Sequence, residues 1–151
     1  MNHEVAEIFF VLKAVHESVD KMLEGLTDEE WLTKPADNFN NVASIIEHVT
    51  QVERRFMSAL AGTAEAIDSG ATFRATSWDV AKIKGEWANS LPYAKSQLEQ
   101  VSAEDLEKPG LKLGVGDLNR RQLITYAIGH LTHHRGQIPL VKKLLAANNL
   151  A

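Results

Sequence analysis

The chain has 151 residues, a length that indicates one domain with a substantial hydrophobic core. With 44% hydrophobic and 24% charged residues, its composition is ordinary for a globular protein and favours neither disorder nor a fibrous repeat. The formal net charge of −4 is unfavourable for contacts with phosphates, so we expect no nucleic-acid partner. The absence of cysteine excludes disulfides and thiolate ligands, and any metal must therefore be bound through nitrogen or oxygen.

No stretch of the sequence has the character of a transmembrane helix or a secretion signal. The longest apolar run, residues 8–12, ends at Lys13, far short of the roughly 20 residues that span a bilayer. Glu4 and Glu7 stand where a secretion signal would carry positive charge. We therefore expect a cytoplasmic protein with no membrane partner.

Two helical patterns occupy the first part of the chain. Apolar residues recur at helical spacing from about residue 4 to residue 24. Thr27 and Glu30 then have the spacing of a capping box, which predicts one short helical turn. A second helix is predicted over about residues 41–61, and its apolar face includes His48.

The second part of the chain predicts two more long helices. Residues 62–77 read as a long connection with one turn near residues 64–68. A third helix is predicted over about residues 78–101, with a kink or a restart inside it because Pro92 lacks a backbone N–H. An irregular crossing, in which no alternating strand pattern is found, leads into the last helix over about residues 118–147.

The connections between the four long helices are about fifteen residues long, whereas tight helical hairpins use two to eight. Connections of this length can run along a bundle and allow neighbouring helices to be parallel. The predicted fold is therefore all-α, a four-helix bundle with long crossover connections, formed by a single domain over residues 1–151.

Three histidines fall on the predicted inner faces of this bundle. His130 and His134 are four residues apart on the last helix, a spacing that places both imidazoles on one face. His48 adds a third imidazole from the second helix. Three convergent imidazoles are typical of a catalytic metal site, which keeps one coordination position open. The alternative is that each is a core histidine bonded to a backbone carbonyl.

Four further residues have weaker interpretations. His133 lies about 100° further round the helix, where it could line the site, orient a ligand or simply face solvent. Arg135 is an ordinary helix-surface residue unless it faces a pocket, where it could anchor a carboxylate or phosphate. His16 shares the apolar face of the first helix and is a candidate fourth ligand. Gly136 inside a helix suggests close approach of a neighbouring helix.

The sequence also resembles the DinB/YfiT-like family. The resemblance rests on Ile-Ile-Glu-His-Val at residues 45–49 and Gly-His-Leu-Thr-His-His-Arg-Gly-Gln-Ile at residues 129–138, and it extends over nearly the whole chain. It implies a four-helix bundle with long crossovers, often a homodimer, and a divalent metal held by His48, His130 and His134. Members of the family include transferases and a maleylpyruvate isomerase that use low-molecular-weight thiols, besides many of unknown activity.

Two hypotheses for function remain open at this point. The first is an enzyme, either a hydrolase or a low-molecular-weight-thiol transferase, that binds a divalent metal and a small-molecule substrate. Zinc or nickel is favoured, and iron and manganese are compatible, because imidazole binds several borderline metals. The alternative is a non-catalytic dimer, braced by a closed four-ligand metal site, that acts as a structural or stress-response interaction protein.

Overall fold

The computed structural model describes residues 1–148. Four long helices make up most of this region: α1 (His3–Leu23), α3 (Val42–Leu60), α5 (Val80–Leu98) and α6 (Arg120–Asn148). Two short helices, α2 (Asp28–Leu32) and α4 (Ala71–Arg74), and a 3-10 turn (Glu104–Glu107) lie in the connections. An antiparallel hairpin of β1 (Pro109–Leu113) and β2 (Gly116–Asn119) precedes α6.

The four long helices form a bundle in which α3 and α1 each pack on both α5 and α6. Helices α1 and α3 therefore occupy opposite corners, and α3 lies directly beside α6. The apolar faces meet in one core, whose largest fully buried members include Leu12, Ile45, Ile46, Met57, Ile83, Leu98, Leu123, Ile124, Leu131 and Ile138. The predicted all-α bundle with long crossover connections is confirmed. Within residues 1–148, every helix is too short or too polar to cross a bilayer.

The start of α3 is held in place by a buried cap. The Asn41 side chain accepts a hydrogen bond from the Ser44 backbone N–H at 2.8 Å and donates one to the Leu32 carbonyl at 2.9 Å. Asn41 is fully buried, so both contacts are shielded from water. This cap fixes where α3 begins and joins it to α2, whose predicted capping box between Thr27 and Glu30 is confirmed.

Two predictions for the middle of the chain are wrong in detail. The turn expected near residues 64–68 is absent there, and the helical turn lies instead in α4, where the Thr72 hydroxyl donates to the Ser44 carbonyl at 3.0 Å. Helix α5 is continuous from Val80 to Leu98, so the expected restart is wrong, and the kink that was the other expectation stays a prediction. A proline costs the helix one hydrogen bond, and the burial of α5 against α3 and α1 offsets that loss.

The crossing before α6 contains a strand pair, although no strand was expected there. The β1–β2 hairpin has Leu113 paired with Gly116, and its leucines pack on the core. Gly110 is required by the close approach of the two strands, since an added Cβ would lie 3.0 Å from the Leu118 carbonyl oxygen. These strands have five and four residues, which is too few for an alternation of apolar and polar residues to be recognised in the sequence.

Candidate metal centre

Neighbouring helices bring three imidazoles to one point at the α3–α6 interface. His48 comes from α3, while His130 and His134 lie one turn apart on α6. Their ligand nitrogens all lie within 4.8 Å of one another. The ring centroids are 5.0 Å apart for His48 and His130, 4.7 Å for His48 and His134, and 4.6 Å for His130 and His134. The three predicted site histidines are therefore brought together.

Hydrogen bonds orient two of these rings. Nδ1 of His48 lies 2.6 Å from the Ser69 carbonyl oxygen, and Nδ1 of His134 lies 2.8 Å from Oε1 of Gln137. Because both partners are acceptors, each Nδ1 carries the proton and donates it. The lone pair of each neutral ring is then on Nε2. Contacts of this kind fix the tautomer and the direction of histidine ligands in metal sites.

The surroundings keep the imidazoles neutral. Burial lowers the pKa of His130 to about 3, with repulsion from the neighbouring histidines as a smaller cause. Burial also lowers the pKa of His134 to about 4, against the opposing effect of its hydrogen bond to Gln137. The pKa of His48 is lowered by burial as well. Neutral rings are the form that binds a metal ion.

The donor set fits a divalent cation. Nε2 of His48 lies 3.1 Å from Nε2 of His130, close to the separation of about 3.3 Å expected for two nitrogens bound tetrahedrally to one ion at about 2.0–2.1 Å. Two lone pairs facing each other at this distance repel unless a proton or a cation lies between them. That the three histidines hold a metal stays a prediction, and their geometry is compatible with it.

A cavity of about 200 Å³ opens beside His48 and His130. Its walls come from α3, from the connection after α3, from the hairpin and from α6, and its remaining lining residues are Val52, Arg55, Phe56, Ile67, Ser69, Leu113, Gly114 and Tyr126. The ring of Phe73 in α4 packs against His48 at a centroid distance of 4.6 Å. The histidine cluster thus has an apolar cover on one side and access to a small cavity on another.

The other sequence candidates are not among the clustered ligands. His133 is exposed, and its ring packs edge-on against His134 at 4.9 Å. Nε of Arg135 donates to the Ser18 hydroxyl on α1 at 2.7 Å, so its side chain does not line the cavity. His16 pairs with Glu53 instead of joining the cluster, and the idea of a fourth ligand from α1 is wrong. Gly136 marks no close packing among the described residues, because an added Cβ would meet none of their atoms within 4 Å.

Sequence reasoning missed the residues that support the histidines. Ser69 belongs to no sequence motif, because its backbone carbonyl and not its side chain contacts His48. Arg55 was missed as well, because only the fold shows that it lines the cavity beside His48 and His130. Gln137 offered a usable signal, because a residue three positions after His134 lies on the same side of the helix.

Replacing Gln137 by methionine is expected to weaken zinc binding by about ten- to a hundredfold, since loss of a ligand-orienting hydrogen bond has effects of this size. Chelator-competition titration measures the change. Gln137→Glu keeps an acceptor for Nδ1 of His134 and should retain the affinity. Gln51→Met is the control, because Gln51 lines a separate pocket between α3 and α5 that contains none of the three histidines. Equal affinity in Gln137→Met and the wild type would refute the orienting role.

The metal-free protein should lose stability as the pH falls. The pKa values of His130 and His134 in the folded chain lie below the usual value near 6.5, so below that pH the unfolded chain binds more protons than the folded chain. The free energy of unfolding should therefore decrease from about pH 6.5 towards about pH 4, by on the order of 1 kcal/mol per pH unit. Urea unfolding of chelator-treated protein measures this, and His130→Gln should show a smaller slope. An identical slope in the variant would contradict the prediction.

With the geometry established, comparison with known proteins assigns the family. The model of the DinB superfamily matches residues 12–138, which include all three clustered histidines. The chain belongs to the DinB superfamily. No curated protein matches this DinB chain.

Solved structures share the DinB fold at low sequence identity. A conserved protein from Enterococcus faecalis is 20% identical with a TM-score of 0.78, over 97% of this chain and 99% of that one. YfiT from Bacillus subtilis, described as a probable metal-dependent hydrolase with an unusual four-helix bundle topology, is 14% identical with a TM-score of 0.74, over 97% and 90%. A second Bacillus subtilis protein, the DinB-like YjoA, is 16% identical with a TM-score of 0.71, over 93% and 92%.

Proposed function

We propose that this DinB protein is a metal-dependent hydrolase that holds one divalent cation on Nε2 of His48, His130 and His134. The observation that carries the proposal is the convergence of three neutral imidazoles beside a cavity that a small substrate can enter. The likeness to YfiT agrees with it, since that protein is described as a probable metal-dependent hydrolase.

The cation would supply Lewis acidity, lowering the pKa of a bound water or thiol and polarising the electrophile. The protein's part is to hold the donors in place. Ser69 and Gln137 direct the Nε2 lone pairs of His48 and His134, and Phe73 and Phe56 pack against the imidazoles and limit access of water. Zinc and nickel are the first choices, because imidazole-rich sites suit them, and iron and manganese are the next.

The test combines metal analysis with turnover. Protein loaded separately with zinc, nickel, iron(II) and manganese is assayed on carboxylic esters, amides and phosphate esters, and on electrophiles supplied with low-molecular-weight thiols. We expect one bound metal per chain, hydrolysis that chelation abolishes, and recovery on adding metal back. Thiol transfer without hydrolysis would favour the transferase, the other reaction that the same site could support.

Measurements of turnover and thermal stability distinguish the hydrolase from the non-catalytic alternative. A metal that only braces the bundle should bind without turnover, and its removal should lower the melting temperature strongly, because binding energy then appears as folding energy. A catalytic site should lose its turnover on chelation, whatever the change in melting temperature, and recover it when the metal is added back. Loss of stability without any measured turnover would therefore replace the hydrolase proposal with a structural one.

The homodimer implied by the family resemblance stays a prediction. In its favour, α1 exposes Phe10 at 72% and Val11 at 46%, apolar surface that a partner copy would cover. Sedimentation velocity of the purified protein tests it, and a monomer at micromolar concentration would exclude a stable dimer.

A further inference from the structure

Arg55 faces the same cavity as the histidine cluster. It lies seven residues after His48 on α3, two helical turns along the same face. Its side chain is half-buried and lines the cavity together with His48 and His130. A guanidinium therefore stands beside the proposed metal centre without being one of its ligands.

The guanidinium of Arg55 has no protein partner among the described residues. Its Nε is buried without a hydrogen bond within residues 1–148, and no carboxylate of that region lies within ion-pair distance. The chain's other five arginines each contact an acid or a hydroxyl: Arg54 with Glu65, Arg74 with Asp68, Arg120 with Asp105, Arg121 with Glu4 and Glu107, and Arg135 with Ser18. Nε of Arg120 is also unpartnered, but its Nη1 is 3.8 Å from Asp105.

A buried N–H of a charged group without an acceptor is unfavourable. An anion bound in the cavity that Arg55 lines would supply this acceptor. A guanidinium binds planar or tetrahedral oxyanions best, since two parallel N–H groups match two oxygens. The missing partner thus has the chemistry of a carboxylate or a phosphate.

The rest of the cavity limits what can carry this anion. Apart from Arg55, Ser69 and the two histidines, the wall is formed by glycine and by apolar or aromatic residues: Val52, Phe56, Ile67, Leu113, Gly114 and Tyr126. Within residues 1–148, no acidic side chain lines it. At about 200 Å³ it is smaller than the roughly 300–1,000 Å³ of pockets for drug-sized molecules. The space suits a small molecule with an apolar body and one anionic group.

The donor set of the cluster favours the same charge. The group of three ligands contains histidines only, without a carboxylate. Neutral ligands leave the full charge of a divalent cation uncompensated, and this attracts an anion to the cavity. Both ends of the space between Arg55 and the histidines therefore favour a negatively charged ligand.

We propose that Arg55 binds the oxyanion of a small organic acid, which is the substrate class of the histidine site. The carboxylate or phosphate pairs with the guanidinium, the apolar body packs on Phe56 and Tyr126, and the group to be cleaved faces His48 and His130. This assignment rests on the proposed function for its reaction, whereas the anion site itself can be tested without metal.

The experiment is a titration of metal-free protein at about pH 7.5 with benzoate, with phenyl phosphate and with the uncharged benzamide. Calorimetry or the shifts of backbone NMR signals measure the binding of each compound. Benzoate or phenyl phosphate should bind, and the tighter of the two identifies the anion. Benzamide should bind much more weakly. Arg55→Met should weaken binding of the anion by about ten- to a hundredfold, the range for a lost hydrogen bond to a charged group. Arg55→Lys should fall between this variant and the wild type.

Arg54→Met is the matched control, because Arg54 is the residue before Arg55 on α3, is exposed and pairs with Glu65. It should bind the anions as the wild type does. Both methionine variants should keep the melting temperature and the metal content of the wild type. Equal affinity in Arg55→Met and the wild type, equal binding of benzamide and benzoate, or no binding of either anion would overturn the proposal. A chain that binds benzoate but no metal would refute the proposed hydrolase and leave the anion site intact.

Discussion

His130→Ala should abolish stoichiometric metal binding, with the affinity for zinc falling more than a hundredfold. Loss of a ligand-orienting contact alone costs about ten- to a hundredfold, and loss of a ligand should exceed that. Nε2 of His130 lies 3.1 Å from Nε2 of His48, and without it only one ligand from each of the neighbouring helices α3 and α6 would remain. Elemental analysis after gel filtration and competition with a chelator measure the loss.

His133→Ala is the matched control for this variant. His133 is exposed on the same helix, and its ring contacts His134 only edge-on. It should keep about one metal per chain, while His48→Ala and His134→Ala behave like His130→Ala. Full metal content in His130→Ala would show that the cluster is a set of core histidines and would remove the basis of the hydrolase proposal.

Glu53→Ala should destabilise the fold by about 3–5 kcal/mol, the range for removing one partner of a buried ionisable pair. The Glu53 carboxylate accepts hydrogen bonds from Nε2 of His16 at 2.9 Å and from the Ser90 hydroxyl at 2.5 Å. All three residues are buried, and the His16 ring stacks on Trp87 at 4.4 Å. Removing the carboxylate would leave two buried donors without an acceptor. Urea unfolding of chelator-treated protein measures the change.

Two further variants serve as comparisons for the loss of stability in Glu53→Ala. Glu53→Gln keeps one acceptor oxygen and should lose less stability than Glu53→Ala. Glu65→Ala breaks the exposed pair with Arg54 and should cost less than about 1 kcal/mol, as exposed ion pairs do. A change of less than about 1 kcal/mol in Glu53→Ala would mean that water or another side chain replaces the carboxylate and that the pair does not hold α1 and α3 together.

The parts of the site that the sequence predicts are those set by local periodicity. His130 and His134 share a face because the helix has 3.6 residues per turn, and this holds whatever α6 packs against. His48 could be assigned to an inner face in the same way. That His48 faces His130 and His134 depends on α3 and α6 being neighbours. Which helices are neighbours is set by the connections between them, and the sequence of these connections has no pattern from which their course could be predicted. The resemblance to the DinB family was what implied that His48 joins His130 and His134 in one site.

The parts that were missed depend on contacts between distant segments. The β1–β2 hairpin is made by strands of five and four residues, too short for alternation to be distinguished from chance. His16 looked like an apolar-face histidine, and only the fold places it against Glu53. Arg55 was unremarkable in sequence, because the lack of an acid partner is a property of the folded surroundings.

The hydrogen bond from His48 to position 69 has a consequence for how related sites are recognised. The acceptor is the main-chain oxygen of Ser69, which any amino acid can supply if the loop keeps its course. Residue identity at this position therefore carries no information about the support of His48. In other proteins of this fold, the carbonyl that corresponds to Ser69 should be identified from the length and path of the loop that follows α3. Substitutions of Ser69 that preserve this path should leave the His48 imidazole oriented as before.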